Sequence, residues 1–474
     1  MLRSCSVKQG LYFEGILLQS AAWSPRKAPF TWIVLSLRKG VVVLKSLWAD
    51  KNRFWQSVVI TLGVVIAIIQ FVQIAKKNPG DFHLHWRSGE LIATGEFLYL
   101  NNHNYPYPPF WGFVHAPLAS FSMQTAYLLI YPIFFIALFL LIWILNRMSE
   151  SHFPLLRNQL FWVVTAAIFL SSRYLIRDML ECGVNLALVA FSWLGVYLWT
   201  RKKELWGSIP LGFAMALKCT PSLFWVYFIL KREWKMAIYT FLAAAFFTLS
   251  PMFKLGYTEY RRTFEHWAKN VEKGMLEPNP IRWMGGEIPL ANMSFKPSQA
   301  RYLMHYPKEH EARLDSPLYI DFLDLSPQTS LRIIKAVMLC FLVFIGWKFR
   351  RHYDDRNDER ILWECAIISI MILLYSPVTW GQHCVGIFPG MYLLLRCATS
   401  RQNFTKPLKI GIGLFVFLIL ILNRTFIGKF YSEVMSTYHI ATYAFIGIIF
   451  FLLSRHQSVT RREAEKEKPS TPET

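Results

Sequence analysis

Apolar residues in this chain come in long unbroken runs, not in the short alternations of a half-buried strand or a surface helix. A bilayer crossing takes about 20 mostly apolar residues. The runs Phe54–Ala75, Thr125–Leu145, Val184–Thr200, Met236–Met252, Leu331–Lys348, Leu362–Val378, Leu408–Leu422 and Ala441–Leu453 read as spans. Further candidates lie at Gln159–Ser171, Gly207–Leu230 and Cys384–Leu395. Together they predict about 10–12 crossings, the shortest of them buried inside a helical bundle. The expected fold class is all-α, a polytopic membrane protein.

Composition agrees with the pattern: 54% of the residues are hydrophobic and 16% aromatic, which excludes a soluble globular protein. A formal net charge of +21 over 474 residues is at first sight the mark of a nucleic-acid binder. Its distribution argues otherwise, because the basic residues sit between the spans as the positive-inside rule describes. No nucleic-acid partner is expected; the bilayer is. The seven cysteines are scattered, odd in number and without a Cys-x-x-Cys pair, so they read as packing residues and not as a disulfide or zinc framework.

Charge also orients the chain. Residues 1–53 carry nine Lys/Arg against two Asp/Glu, which predicts a basic cytoplasmic N-terminal segment. Part of it, residues 30–48, reads either as a helix on an anionic leaflet or as a loosely ordered tail. Residues 54–454 form the membrane-embedded domain, with outer loops at 76–124 and 253–330. The second loop balances ten basic against ten acidic residues, which agrees with an external location. Residues 455–474 are expected to form a disordered cytoplasmic tail. Tyr105–Ser120 is too short and polar to cross and reads as a juxtamembrane helix. Gly207–Leu230 is either one span or a hairpin; the cluster Lys231, Arg232 and Lys235 favours a hairpin tipped by Lys218 and Pro221. Both termini are then cytoplasmic, and Asp81, Arg173, Arg177, Lys218, the long loop and His383 converge on the outer face.

Those residue types suit group transfer from a lipid phosphate. A carboxylate can take the proton from an acceptor hydroxyl, and Asp81, just past the first span, is the candidate; read alone it is first of all an N-cap of the helix that follows. Lys218 in Ala216–Pro221 can face a phosphate as a point charge or merely snorkel. Arg173 and Arg177 offer bidentate phosphate contacts, unless Asp178 pairs with them. His383, beside Trp380, can bind phosphate as an imidazolium or hydrogen-bond a sugar, though a lone interfacial His is often structural. His83, His85 and His103 lack metal-ligand spacing, so no metal or cofactor is expected.

The ordered set Asp81, Gly95, Tyr99, Tyr107-Pro108-Pro109, then Gly183-Val184-Asn185, then Gly212–Pro221, then Ser376–His383 resembles glycosyltransferase family 87, over about residues 54–425. The resemblance implies the C-type multi-pass glycosyltransferase fold with juxtamembrane helices in the first outer loop. It also implies an inverting hexosyltransferase of the cell (inner) membrane, moving mannose by default from a polyprenyl-phosphate sugar to a glycan or glycolipid acceptor on the outer face. Under it Asp81 matches the catalytic base, and Lys218 matches a Lys-x-Thr-Pro element. His383 matches the last His of a Trp-x-His-His pattern. Lys218, Arg177, Arg173 and His383 would hold the donor phosphate; Tyr107, Asn185, Asn292 and Trp380 would bind substrate. Asn292-Met293-Ser294 resembles the family's Asn-x-Ser segment. Two departures stand out: Cys182-Gly183-Val184-Asn185 lacks the Gln of Gly-Gln-Val-Asn, and Gln382-His383 lacks one His of the pair. They bear on donor and acceptor specificity. The competing expectations are a transporter or flippase of a lipid-linked sugar, which needs no base, and a ligase or polymerase of lipid-linked oligosaccharides.

Overall fold

The computed structural model describes residues 50–466 apart from 77–79, 100–104, 285, 311–312, 314–315, 317, 354 and 423. The expectations for residues 1–49 and for the last eight residues lie outside the described residues. The chain divides into two compact units, residues 1–65 and 66–474. Apart from the first part of the opening helix, every residue discussed below belongs to the second.

The described residues are helical almost throughout. Helix α1 (Lys51–Lys76) opens the membrane domain; α2 (Phe82–Thr94) and α3 (Pro109–His115, continued by a 3₁₀ turn over Ala116–Ser120) are short helices of the first loop; α4 (Met123–Ser149), α5 (Arg157–Glu181) and α6 (Asn185–Thr200) follow. Next come α7 (Glu204–Leu217), α8 (Ser222–Leu230), α9 (Trp234–Leu249) and α10 (Met252–Leu276). The long loop adds a two-residue β-hairpin, β1 (Arg282–Trp283) and β2 (Gly286–Glu287), and α11 (Phe295–Leu303). The last part is α12 (Pro327–Phe349), α13 (Glu359–Tyr375), a 3₁₀ turn (Gly381–Ile387), α14 (Phe388–Ser400), α15 (Lys406–Phe415) running into a π-helical stretch (Val416–Ile421), α16 (Arg424–Thr437) and α17 (Ile440–Lys466). Among the described residues five helices are long and apolar enough to cross a membrane, or up to seven if each of two bent pairs is one span. The estimate of 10–12 crossings also counted apolar runs that fold as helices of 9–17 residues, such as α6, α7, α8 and α13.

Three connections position the site. First, the exit of α1 is tied to α4: Gln124 Nε2 donates to the Ile74 carbonyl at 2.8 Å and Tyr131 Oη to that of Ala67 at 2.6 Å. Second, residues 204–233 run out and back. Arg356 holds Glu204, at the start of α7, at 2.7 Å and Glu233, just after α8, at 2.8 Å. Both ends of the segment therefore meet at one guanidinium, and Lys218 to Pro221 form the tip between two short helices. Gly195 and Gly207 let α6 and α7 approach closely, since a Cβ on Gly195 would stand 2.9 Å from the Gly207 carbonyl oxygen, the small-residue contact usual between membrane helices. Third, the long loop is pinned to the turn after α13. The Asn292 carboxamide oxygen accepts from the Ser294 N–H at 2.9 Å and the Thr379 N–H at 3.3 Å, and Met293 N–H donates to the Thr379 carbonyl at 2.8 Å.

Two elements depart from the sequence pattern. The loop 253–330 does not start as a loop: α10 is amphipathic and turns 85° away from α9. Residues 455–466, expected as a disordered tail, continue α17 as helix. The reason is ionic. His456 Nε2 lies 3.0 Å from the buried Glu364 carboxylate, and Arg462 reaches Glu359 at 3.4 Å, so this stretch supplies partners that those carboxylates need.

Candidate active site

Asp81 stands at the N-terminus of α2 in a helical backbone conformation, and its side chain makes no capping hydrogen bond. The cap reading of this residue is thereby set aside. Its carboxylate turns to another element: Gln382 Nε2 donates to Oδ2 at 3.1 Å. Oδ1 accepts no hydrogen bond among the described residues. Asp81 N–H is directed at Glu181 Oε2, 3.4 Å away, and Arg177 bonds the other oxygen of Glu181 at 2.9 Å. Asp81 is solvent-accessible. Partial desolvation and the Glu181 carboxylate nonetheless push its carboxyl above the usual range, against the pull of Arg177, His83 and the Gln382 hydrogen bond.

The turn between α5 and α6 carries the next residues inward. Cys182 and Val184 both take left-handed backbone angles, φ 45° and 46°, and for a β-branched Val this costs on the order of 1–3 kcal/mol. The compensation is Asp178. Its buried carboxylate accepts from Asn185 Nδ2 at 2.8 Å and from the N–H groups of Asn185 and Leu186 at 3.3 and 3.0 Å, capping the start of α6. Gly183 is required here: a Cβ would stand 2.4 Å from Asn185 Nδ2 and 2.5 Å from Asp178 Oδ1. The same Cβ would touch Gln382 at 3.4 Å, so the turn sits against the partner of Asp81. Asn185, held in this way, accepts from Lys218 Nζ at 3.2 Å.

Lys218, Asn185 and His383 line one cleft whose other wall is apolar, with Leu188, Phe224 and Ile372. Lys218 lies 5.9 Å from the centre of the Tyr107 ring, which stacks on Trp111 at 4.2 Å. Among the described residues no carboxylate pairs directly with Lys218. His383 Nδ1 accepts the Trp380 N–H at 3.1 Å, so its proton belongs on Nε2. Burial and the Lys218 charge hold its pKa well below the ordinary value, which favours, of the two roles the sequence allowed, the neutral hydrogen-bonding imidazole over the imidazolium. His85, buried behind Tyr107, faces Tyr105 Oη at 3.1 Å and is held neutral chiefly by desolvation.

Four sequence candidates stand elsewhere or act differently. Arg173 is one turn from Arg177, yet its Nη1 donates to the Ile419 carbonyl at 2.9 Å. The π-helical stretch ends there and leaves carbonyls without intrahelical partners, which is why the guanidinium is drawn to it and not to Asp178. Asn292 is fully buried as a clamp on the 379 turn and does not line the Lys218 cleft. Trp380 contributes its backbone N–H to His383. Arg177 is exposed and faces Glu181. Sequence reasoning missed Glu181, and it named Asp178 and Gln382 without placing them beside Asn185 and Asp81. The i,i+4 spacing of Arg177 and Glu181 was a usable signal; nothing local marks Gln382, 301 positions from Asp81.

An accessible carboxylate bonded by the Gln382 amide and a lysine bonded by the Asn185 amide above a largely apolar cleft thus stand together in a helical membrane protein. Residues 105–377, more than half of the chain, match the sequence model of Glycosyltransferase family 87, and the chain belongs to that family. It is also 26% identical over 333 residues, covering 66% of this chain and 67% of the relative, to a polyprenol-phosphate-mannose-dependent alpha-(1-2)-phosphatidylinositol mannoside mannosyltransferase of Mycolicibacterium smegmatis. The all-α polytopic architecture and the glycosyltransferase family agree with the expectations drawn from sequence. Asp81, Gln382 and His383 lie outside the stretch matched by the family.

Proposed function

We propose that the protein transfers a hexosyl group, mannose by the example of its relative, from a polyprenyl phosphate to a hydroxyl of a glycan or glycolipid on the outer face of the membrane, with inversion. The carrying observation is the Lys218 cleft. Its apolar wall suits an isoprenoid chain, and Lys218 lines it with no carboxylate bonded to it among the described residues, which supports a phosphate partner. Asp81 Oδ1 takes the proton of the acceptor hydroxyl as that oxygen attacks the anomeric carbon, and the anomeric C–O bond breaks with its electron pair leaving on the phosphate. Lys218 and the His383 imidazole stabilise the departing phosphate electrostatically, and Arg177 keeps the Glu181 carboxylate in place beside Asp81. A raised carboxyl pKa makes Asp81 a stronger base near neutral pH.

A transporter or flippase would use the same cleft without needing the base. Reconstituted protein supplied with labelled polyprenyl-phosphate mannose and a membrane glycolipid fraction separates the two. Label in a new glycolipid is the expected outcome; intact donor that only changes leaflet would overturn the proposal.

A further inference from the structure

At the end of the bundle opposite Asp81 lies a polar pocket of about 370 Å³. Helix α5 separates the two places. It begins a few residues past His152 of the pocket, and its last residue, Glu181, stands beside Asp81. Its 25 residues span about 37 Å, a bilayer thickness. Helices α4 and α6 end together at this pocket. Trp143 and Tyr197 pack edge to face with ring centres 5.1 Å apart, and one turn further along each helix stands an arginine of the lining, Arg147 and Arg201. Two other charges of the lining are already matched: Arg356 holds Glu204 and Glu233, and Asp358 accepts from Arg360 Nε at 2.8 Å. Arg147 is only loosely paired, with Glu150 at 3.7 Å. Arg201 lies over the Tyr197 ring at 5.3 Å and bonds no carboxylate among the described residues. Two guanidiniums are therefore left able to meet an anion.

The surface next to the arginines decides what kind of anion. Ile136, Phe139 and Trp143 precede Arg147 at helical spacing, so the four share one face of α4. The three apolar side chains are 64%, 68% and 44% exposed. An indole and a phenol beside cations mark the depth at which lipid head groups begin. A phosphate at that depth accepts from both guanidiniums, and a head-group hydroxyl can donate to Glu150. A free anion would gain the same arginines and leave the α4 strip uncovered. We infer that this pocket is a site for an anionic phospholipid, its phosphodiester between Arg147 and Arg201 and its acyl chains along the exposed strip of α4. Basic pockets between membrane helices hold anionic head groups in this way. The lipid would tie the ends of α4 and α6 together across the membrane from the Lys218 cleft, and its binding does not rest on the transferase reading.

The test is binding without donor or acceptor. The full chain in detergent, at about 0.15 M salt so that a diffuse surface field is screened beyond about 8 Å, is titrated with phosphatidylglycerol, phosphatidylcholine and diacylglycerol of the same acyl chains. Bound lipid is counted by native mass spectrometry. Wild type should hold phosphatidylglycerol about tenfold more tightly than diacylglycerol, the worth of one charge-assisted hydrogen bond, and more tightly than phosphatidylcholine, whose ammonium offsets its phosphate. Arg201→Gln and Arg147→Gln, both at exposed positions, should each lose most of that preference and keep diacylglycerol. Lys202→Gln removes the same charge next to Arg201 but outside the pocket and should keep the preference. Free glycerol 3-phosphate in excess should not displace the lipid. Equal retention of phosphatidylglycerol and either other lipid by wild type would overturn the inference. So would a preference unchanged in Arg201→Gln, one lost as fully in Lys202→Gln, or displacement by glycerol 3-phosphate, the mark of a site for free anions.

Discussion

Lys231 and Lys218 both face inward, and their surroundings are opposite. Lys231 is sealed into a closed cluster. Its Nζ bonds the Glu364 carboxylate at 2.8 Å and the Arg351 carbonyl at 2.9 Å, while Tyr227 Oη donates to the same carboxylate at 2.8 Å. Both ions are about 1% exposed. Lys218 has a neutral amide, an aromatic face and a cleft. A buried charge without a bonded counter-ion is costly; the fold bonds a carboxylate directly to Lys231, whereas Asp178 reaches Lys218 only across the Asn185 amide. The first lysine ties α8 to α13 and, through His456, to α17; the second is left able to meet an anion. The difference separates a structural charge from one available to substrate.

Breaking the closed cluster should have the largest effect. Lys231→Met strands Glu364 and should destabilise the protein by about 3–5 kcal/mol, read as a lower midpoint of unfolding; a wild-type midpoint would remove Lys231 from the structural side of the comparison. Lys218→Met should do the reverse. Transfer should fall by about 10²–10³-fold, as for loss of one electrostatic stabiliser, with unfolding unchanged or shifted upward. Steady-state kinetics and a melting curve on one preparation check both halves. The α5 carboxylate should have the smallest effect and show it in pH dependence. Asp81 must be ionised to act, and its pKa is raised, so transfer is lost as pH falls through that value. Glu181→Gln removes a charge that raises it and should move the acid limb of the rate profile to lower pH, whereas Arg177→Met should move it to higher pH.

Some of this was legible in the chain. Long apolar runs gave the all-α membrane class, and the basic cluster after Leu230 pointed to the out-and-back path of residues 204–233 that Arg356 closes. Lys218, Asn185 and His383 were legible as an ordered set and do share a cleft. The partners were not, because they depend on contacts between distant segments. Gln382, a departure from the family pattern, is the residue that touches Asp81. Arg173 and Arg177 look alike in sequence, yet one completes the end of a π-helical stretch and the other faces Glu181. Asn292 looked like a substrate contact and serves as a clamp on the 379 turn, with its free Nδ2 facing the other way.

The central claim is that Asp81 is the base and the Lys218 cleft holds the donor. It is tested most directly by single-turnover transfer and donor binding measured together on Asp81→Asn, which keeps an acceptor oxygen for Gln382. The account predicts donor affinity within about twofold of wild type and a transfer rate lower by roughly 10²–10⁴-fold, the usual worth of a general base. A rate near that of wild type, or donor binding lost along with it, would contradict the account.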